Sequence, residues 1–385
     1  MIASGEGAVA VQSMAENPLL RPFVSEKLSL PNRLVMAPMT RGFSPGGIPG
    51  EDVAHYYRRR AEGGVGLIVT EGTWIPHASA SNDPSVPRFH GEDALAGWGR
   101  VVREVHEAGG RIVPQLWHIG AAPKSDVGEI YADRPDVIVV PSSPSGLAGP
   151  NMQFGEPLTP GGMNAIRDAY VQAASDAQRL GVDGVELHGA HGYLLDQFFW
   201  EETNRRTDRY GGSIANRTRF AAEIVAAIRA AVGPAFPILF RFSQWKLQDY
   251  AARPWPTPQA LEAFLDPLVL AGVDIFDCSQ RRFWTPEYEG SDLNLAGWTR
   301  KLSGRPTITV GSVSLDLDMT ASVYEGQTAG PASLDQLYER LERDEFDLVA
   351  VARALLADPA WLDKVAASRW EDLTPYSNAA LKTLV

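Results

Sequence analysis

The 385-residue chain predicts a single α/β domain folded as a (β/α)8, or TIM, barrel. Three observations carry that expectation. Eight short β-rich runs alternate with longer segments of helical character. Most of the runs are continuously apolar rather than alternating, as parallel strands covered on both faces are. The helical segments end on one device, a glycine that stops the helix before the chain re-enters a strand, as in "AGG", "LGVDG" and "AGVDIF". The competing architecture is an open, doubly wound sheet. It would usually carry a Gly-rich dinucleotide fingerprint after its first strand, and no G-x-G-x-x-G occurs.

In order, the strands are expected at Arg33–Pro38, Gly66–Glu71, Arg111–Trp117, Gly184–His188, Ile238–Phe242, Val273–Asp277, Thr307–Val310 and Asp347–Val351. Amphipathic helices are expected over Ala94–Gly110, Met163–Gly181, Ala215–Gly233, Pro258–Gly272 and Pro331–Asp344. Gly120–Pro160 is rich in Pro, Gly and Ser and too long for an ordinary connection, so it reads as a structured excursion or lid after the third strand. The expected organisation is an N-terminal mobile arm over 1–20, the barrel over 21–366 and a C-terminal tail over 367–385.

Composition narrows the function. There is no apolar run of ~18 residues, so no membrane span is expected. The start lacks the basic-then-apolar profile of a secretory signal. The single cysteine, Cys278, rules out a disulfide framework or a cysteine-rich metal site, and a cytoplasmic address is the expectation. A net charge of −12 argues against nucleic acid as a partner, although a local cluster of donors can still hold a small anion. Monomer and homo-oligomer are both compatible with the sequence.

In such barrels the chemistry collects at the C-terminal ends of the strands. Those ends read APMTR (Ala37–Arg41), TEG (Thr70–Gly72), PQLWH (Pro114–His118), HGAHGY (His188–Tyr193), FRFS (Phe240–Ser243), VGSVS (Val310–Ser314) and VARALLADP (Val351–Pro359). Phosphate often sits at the loops after strands seven and eight, on backbone N–H groups. Gly311 lets its backbone approach closely, and Arg353 opens the last helix with a fork suited to phosphate. Arg241 ends an apolar strand and needs a partner, either a barrel carboxylate such as Glu71 or Glu186 or an anionic ring system. Gln115 offers an amide that donates and accepts at once, as a heterocycle's imide edge requires.

Taken together, these motifs resemble the Old Yellow Enzyme family of FMN-dependent ene-reductases. The resemblance rests on APMTR, QLWH (Gln115–His118), HGAHGYLLDQF (His188–Phe198), NRRTDRYGGS (Asn204–Ser213) and VARALLADP, and spans about residues 20 to 365. It implies a barrel that binds FMN non-covalently, with NAD(P)H as reductant and enones or nitroalkenes as substrates. By resemblance, Pro38, Met39, Thr40 and Gly72 border the flavin near its N5–C4 edge. Gln115 holds the pyrimidine edge, and Arg241 sits by N1 and the C2 carbonyl. Gly311, Ser312, Ala352 and Arg353 hold the phosphate. His188 and His191 then match the pair that grips the substrate's carbonyl or nitro oxygen, Tyr193 the proton donor, and Trp117 a residue lining the substrate pocket. The sequence departs from many members at Ala352, where they have Gly, at Ala121, where they have Arg, and at Thr40, where some carry a redox-sensing cysteine.

The histidine pair allows three readings: a zinc site, a pair of packing residues, or two donors for an oxyanion. Zinc would want a third protein ligand, for which Glu186 or Glu71 stands nearest in the pattern. The donor reading fits the resemblance. Hydride delivered from flavin N5 to the β-carbon builds charge on the carbonyl oxygen, and an aimed N–H is worth about 3–4 kcal/mol in comparable oxyanion sites. A tyrosine, with a reference pKa of ~10, stays protonated and can supply the α-carbon proton. An oxidative flavoenzyme and a metal-dependent barrel hydrolase are the rival functions; the first often needs further domains and an iron–sulfur site that one cysteine cannot hold.

Overall fold

The computed structural model describes residues 17–122 and 140–385. Among them, eight parallel strands close into a barrel: β1 (Leu34–Met36), β2 (Leu67–Trp74), β3 (Arg111–Trp117), β4 (Val185–His191), β5 (Ile238–Lys246), β6 (Ile275–Ser279), β7 (Thr307–Val310) and β8 (Leu348–Val351). Each strand pairs with its neighbours in sequence, and β8 returns to β1 through Val349–Leu34 and Val351–Met36. All eight expected strands are present. Four run further than expected: β2 past a bulge between Val69 and Gly72, β4 to His191, β5 to Lys246 and β6 to Ser279. Those extensions carry the strands into the mouth of the barrel, where polar side chains need no apolar cover.

The helices are α1 (Glu51–Glu62), α2 (Glu92–Glu107), α3 (Pro160–Leu180), α4 (Leu194–Phe199), α5 (Ile214–Val232), α6 (Pro258–Ala271), α7 (Leu295–Ser303), α8 (Asp335–Glu342), α9 (Arg353–Ala357) and α10 (Trp361–Ala366). The glycine stop device appears at Gly181 and Gly272, which take positive φ of 79° and 110° directly after α3 and α6. Helix α1 was not expected, because EDVAHYYRRRAE is dominated by charge. Its buried stripe is made of Val53, Ala54, Tyr56, Tyr57 and Ala61, which a strict aliphatic pattern does not show.

Strand alternation sorts the core into two parts. Val35, Val69, Val113, Leu239, Ile275, Ile308 and Ala350 point into the barrel, where they meet Phe23, Leu28 and Leu30 of a short hairpin. Lys27 ties that hairpin to Asp274, just before β6, at 2.6 Å, so it closes the N-terminal end of the barrel. The intervening residues, such as Ile68, Ile112, Phe240 and Val349, pack outward under the helices.

Both described chain ends pack on the barrel. Residues 1–16 of the expected arm lie outside the described residues, but 17–20 are packed rather than mobile. Asn17 caps the turn Pro18–Leu20 through its side chain, and Leu19 is fully buried in the core. The tail over 367–385 lies against the barrel. Tyr376 and Ala329 exchange both backbone hydrogen bonds at 2.9 Å, and Arg41 donates to the Thr383 carbonyl at 2.7 Å. Of the expected excursion, 123–139 lies outside the described residues; its later part forms a parallel pair, Ser142–Ser143 with Glu156–Pro157, and a hairpin, Leu147–Gly149 with Met152–Gln153.

Candidate active site

One step above the apolar floor, alternation places polar residues at the next inward positions. Gln115 follows Val113, Arg241 follows Leu239, and Asp277 follows Ile275. Gln115 donates to Glu186 at 2.8 Å, and Arg241 forms an ion pair with Asp277. The carboxylate beside Arg241 is therefore Asp277, rather than Glu71 or Glu186, the two named for the carboxylate alternative. Register explains it: Arg241 and Asp277 are direct neighbours across β5 and β6. Glu71 is engaged instead by the backbone N–H groups of Arg41 and Gly42, at 2.8 and 3.1 Å. Burial, and the neighbouring Asp277, push the Glu186 carboxyl well above its usual range.

Above this polar layer lies a cavity of about 340 Å3. Every residue that the resemblance assigns to flavin or substrate stands on its wall. Pro38, Met39 and Thr40 follow β1, and Gly72 sits on β2, where a Cβ would come within 3.0 Å of the Trp117 ring. Gln115 and Trp117 come from β3, His188 and His191 from β4, with Tyr193 just beyond, and Arg241 from β5. Gly311, Ser312, Ala352 and Arg353 come from the ends of β7 and β8.

One corner of the cavity is built of rings. The His188 ring lies 5.2 Å from both His191 and Tyr193, and Trp117 meets Tyr193 edge-on at 5.0 Å. His188 has no hydrogen-bond partner among the described residues, and its Nδ1 is enclosed. Burial, then the charge of Arg241, lowers its pKa to about 3, and His191 is likewise held well below the usual range. Both imidazoles are neutral at physiological pH. Burial pushes Tyr193 up to about 12, so its hydroxyl keeps its proton.

The opposite end suits an anion. Gly311 has φ 143°, and a Cβ there would lie 2.6 Å from the Gln280 carbonyl oxygen, so only glycine fits. Ser312 takes a left-handed φ of 48°. Arg353 donates to Ser312 Oγ at 3.2 Å, to the Leu317 carbonyl at 3.0 Å and to Ser322 Oγ. The segment 196–210 that follows the ring corner holds its own shape by arginine–carboxylate pairs, Arg206–Asp208 and Arg205–Glu202 among them.

Sequence reading missed part of the wall. Trp245 stacks on His191 at 4.3 Å, and Ser279 Oγ lies 2.8 Å from His191 Nε2. Ser279 stands two residues beyond Asp277 and ends β6, the one strand end left without a candidate; alternation alone pointed to it. Tyr376 and Leu381 reach the cavity from the tail, which no local signal could announce. Among the described residues, no three His, Cys, Asp or Glu side chains are grouped to hold a metal ion. Nor is any described helix long and apolar enough to cross a membrane.

The profile of the NADH:flavin oxidoreductase / NADH oxidase family matches residues 18–330. A 12-oxophytodienoate reductase 7 from Oryza sativa subsp. japonica is 37% identical over 235 residues, 58% of this chain and 57% of that protein. An NADH oxidase from Thermoanaerobacter brockii is 31% identical over 356 residues, 90% of this chain and 50% of its own length. The chain thus spans little more than half the length of these relatives. Among solved structures, morphinone reductase in complex with tetrahydroNAD superposes with a TM-score of 0.77 at 28% identity, covering 94% of this chain and 93% of that one. An old yellow enzyme homologue from Zymomonas mobilis shares the fold, with a TM-score of 0.76 at 23% identity over 94% of this chain and 96% of that one.

Proposed function

Because the chain belongs to the NADH:flavin oxidoreductase / NADH oxidase family, the Old Yellow Enzyme family that its motifs resemble, we propose that it is an FMN-dependent enzyme that uses NADH or NADPH to reduce C=C bonds conjugated to a carbonyl or nitro group. The carrying observation is that one cavity joins an anion-ready end to a corner of neutral donor rings. We assign it a cytoplasmic address on the same reading of its single cysteine.

The cavity fits FMN. Gly311, where a side chain cannot stand, with Ser312, Arg353 and the N–H groups opening α9, form a cradle for the phosphate. Gln115 and Arg241 present an amide and a guanidinium to the heterocycle, and Arg241 Nε is buried without a partner. Pro38, Met39, Thr40 and Gly72 border the ring. Bound there, FMN supplies hydride transfer from nicotinamide to alkene.

The chain's own residues then hold the oxygen and move the proton. Arginine only donates, so the Ser279 hydroxyl accepts from Arg241 Nη2 at 3.5 Å and gives its own proton to His191 Nε2. In the tautomer that this donation requires, His191 carries its N–H at Nδ1, which no described residue engages. That N–H and the His188 ring serve as donors to a carbonyl or nitro oxygen, whose charge grows during reduction. Neutral imidazoles suit the task, because an N–H donor is all that is required. Tyr193, protonated well above neutral pH, delivers a proton to the α-carbon, and Trp117 lines the space beside it.

The absorption spectrum of the purified protein tests the reading. It should be yellow and release FMN on denaturation. A colourless protein that takes up no FMN overturns it.

A further inference from the structure

We propose that the buried ion pair of Lys246 and Asp196 positions the donor corner, locking the left-handed turn at His191 and Gly192 and thereby aiming His191 and Tyr193. The proposal rests on the function proposed above. It explains a feature that stability does not: both side chains are fully enclosed, and the desolvation of two charges offsets their attraction, so such a pair is weak as a stabilising element.

The geometry shows what the pair holds. Asp196 Oδ1 accepts from Lys246 Nζ at 2.6 Å, while its Oδ2 accepts the Gly192 N–H at 2.7 Å. Lys246 also donates to the Ser243 carbonyl at 2.8 Å, and Ser243 Oγ accepts the His191 N–H at 3.0 Å. The His191 carbonyl accepts from Leu247 N, at 3.3 Å, the residue after Lys246. Both polar backbone groups of His191 and the N–H of Gly192 are thus tied to the Lys246 strand end.

That backbone needs tying. His191 has φ 66° and Gly192 φ 83°. A non-glycine residue held there is strained and persists only where its surroundings over-determine it. Asp196 also sits in the first turn of α4, whose N-cap is Tyr193, so one carboxylate fixes the histidine turn and the tyrosine to the same point. Lys246 keeps that carboxylate an acceptor. Burial already raises Asp196 to about 6 with the lysine beside it; without the lysine, burial favours the neutral acid, whose proton would compete for the oxygen facing Gly192.

The FMN-loaded enzyme tests the proposal, with para-hydroxybenzaldehyde as the probe of the donor corner and cyclohexenone as substrate. Lys246→Met should keep the wild-type FMN content and the rate of flavin reduction by NADPH, weaken phenol binding about tenfold, raise the enone KM by a similar factor and slow reoxidation by the enone about tenfold. The double variant Lys246→Met/Asp196→Asn removes both charges but keeps an amide oxygen for Gly192, and should recover to within about threefold of wild type. Lys246→Met with wild-type phenol affinity overturns the proposal. So does loss of phenol binding only in proportion to lost FMN. If Lys246→Met does not fold, Lys246→Met/Asp196→Leu, which removes both charges and the acceptor for Gly192, decides: phenol binding weakened in a folded, FMN-loaded protein supports the proposal, and wild-type affinity overturns it. Failure of the underlying function is distinct, because wild type itself would then bind no FMN or leave cyclohexenone unreduced.

Discussion

Arg353→Ala separates phosphate recognition from support of the fold. Arg353 is half-buried at the start of α9, with a fork that reaches Ser312, Leu317 and Ser322. Two consequences of its removal can be sized. The first is the loss of charge-assisted hydrogen bonds to a phosphate, about 1.5–3 kcal/mol, or roughly 10- to 150-fold in Kd. The second is the release of the 317–322 segment, which loses hydrogen bonds from the same guanidinium to uncharged acceptors, again about 1.5–3 kcal/mol. Only FMN feels the first, whereas FMN and riboflavin both feel the second. Fluorescence titration of the apoprotein should therefore show the preference for FMN over riboflavin falling at least about tenfold. Equal weakening of both ligands refutes the phosphate role and leaves Arg353 as a brace for the segment after β7.

The remaining predictions address the rings, the cradle and pH. Tyr193→Phe should leave flavin reduction by NAD(P)H nearly normal and slow reoxidation by cyclohexenone by about 10²- to 10⁴-fold, with a smaller effect on a nitroalkene; stopped-flow absorbance reads both halves, and a defect in the first half means Tyr193 is misassigned. Gly311→Ala forces a Cβ to 2.6 Å from the Gln280 oxygen, so FMN retention should collapse and stability drop by about 1–3 kcal/mol; a variant with wild-type melting and FMN content contradicts the cradle. Because burial holds His188 at about 3 and His191 well below its ordinary value, both stay neutral as pH falls from 8 to 5. Phenol affinity, corrected for the phenol's own ionisation, should show no histidine titration in that window, and a step near pH 6.5 that disappears in His188→Asn argues against neutral donors.

Local signals determined the architecture. Apolar runs of strand length and glycines at helix ends are short-range features, so all eight strands were legible, and with them the strand ends that carry His188, His191, Gln115 and Gly311. The chemistry of those ends was legible for the same reason: each motif is continuous in sequence. What the chain could not announce depends on which strands become neighbours. The partner of Arg241 is Asp277 because barrel closure sets β5 and β6 in a register that pairs them, while Glu186 across the layer engages Gln115. Ser279 and Trp245 reach His191 only once β4, β5 and β6 lie side by side. Tyr376 and Leu381 enter the cavity wall only because the tail folds back over the barrel mouth. The sequence by itself determined the barrel, its orientation and most of its candidate site residues, since propensity and periodicity act within a few residues. Tertiary structure decided the charge partners, the neighbours of His191 and the pair beneath it, since these are set by side chains 36 to 88 residues apart that meet only when the barrel closes.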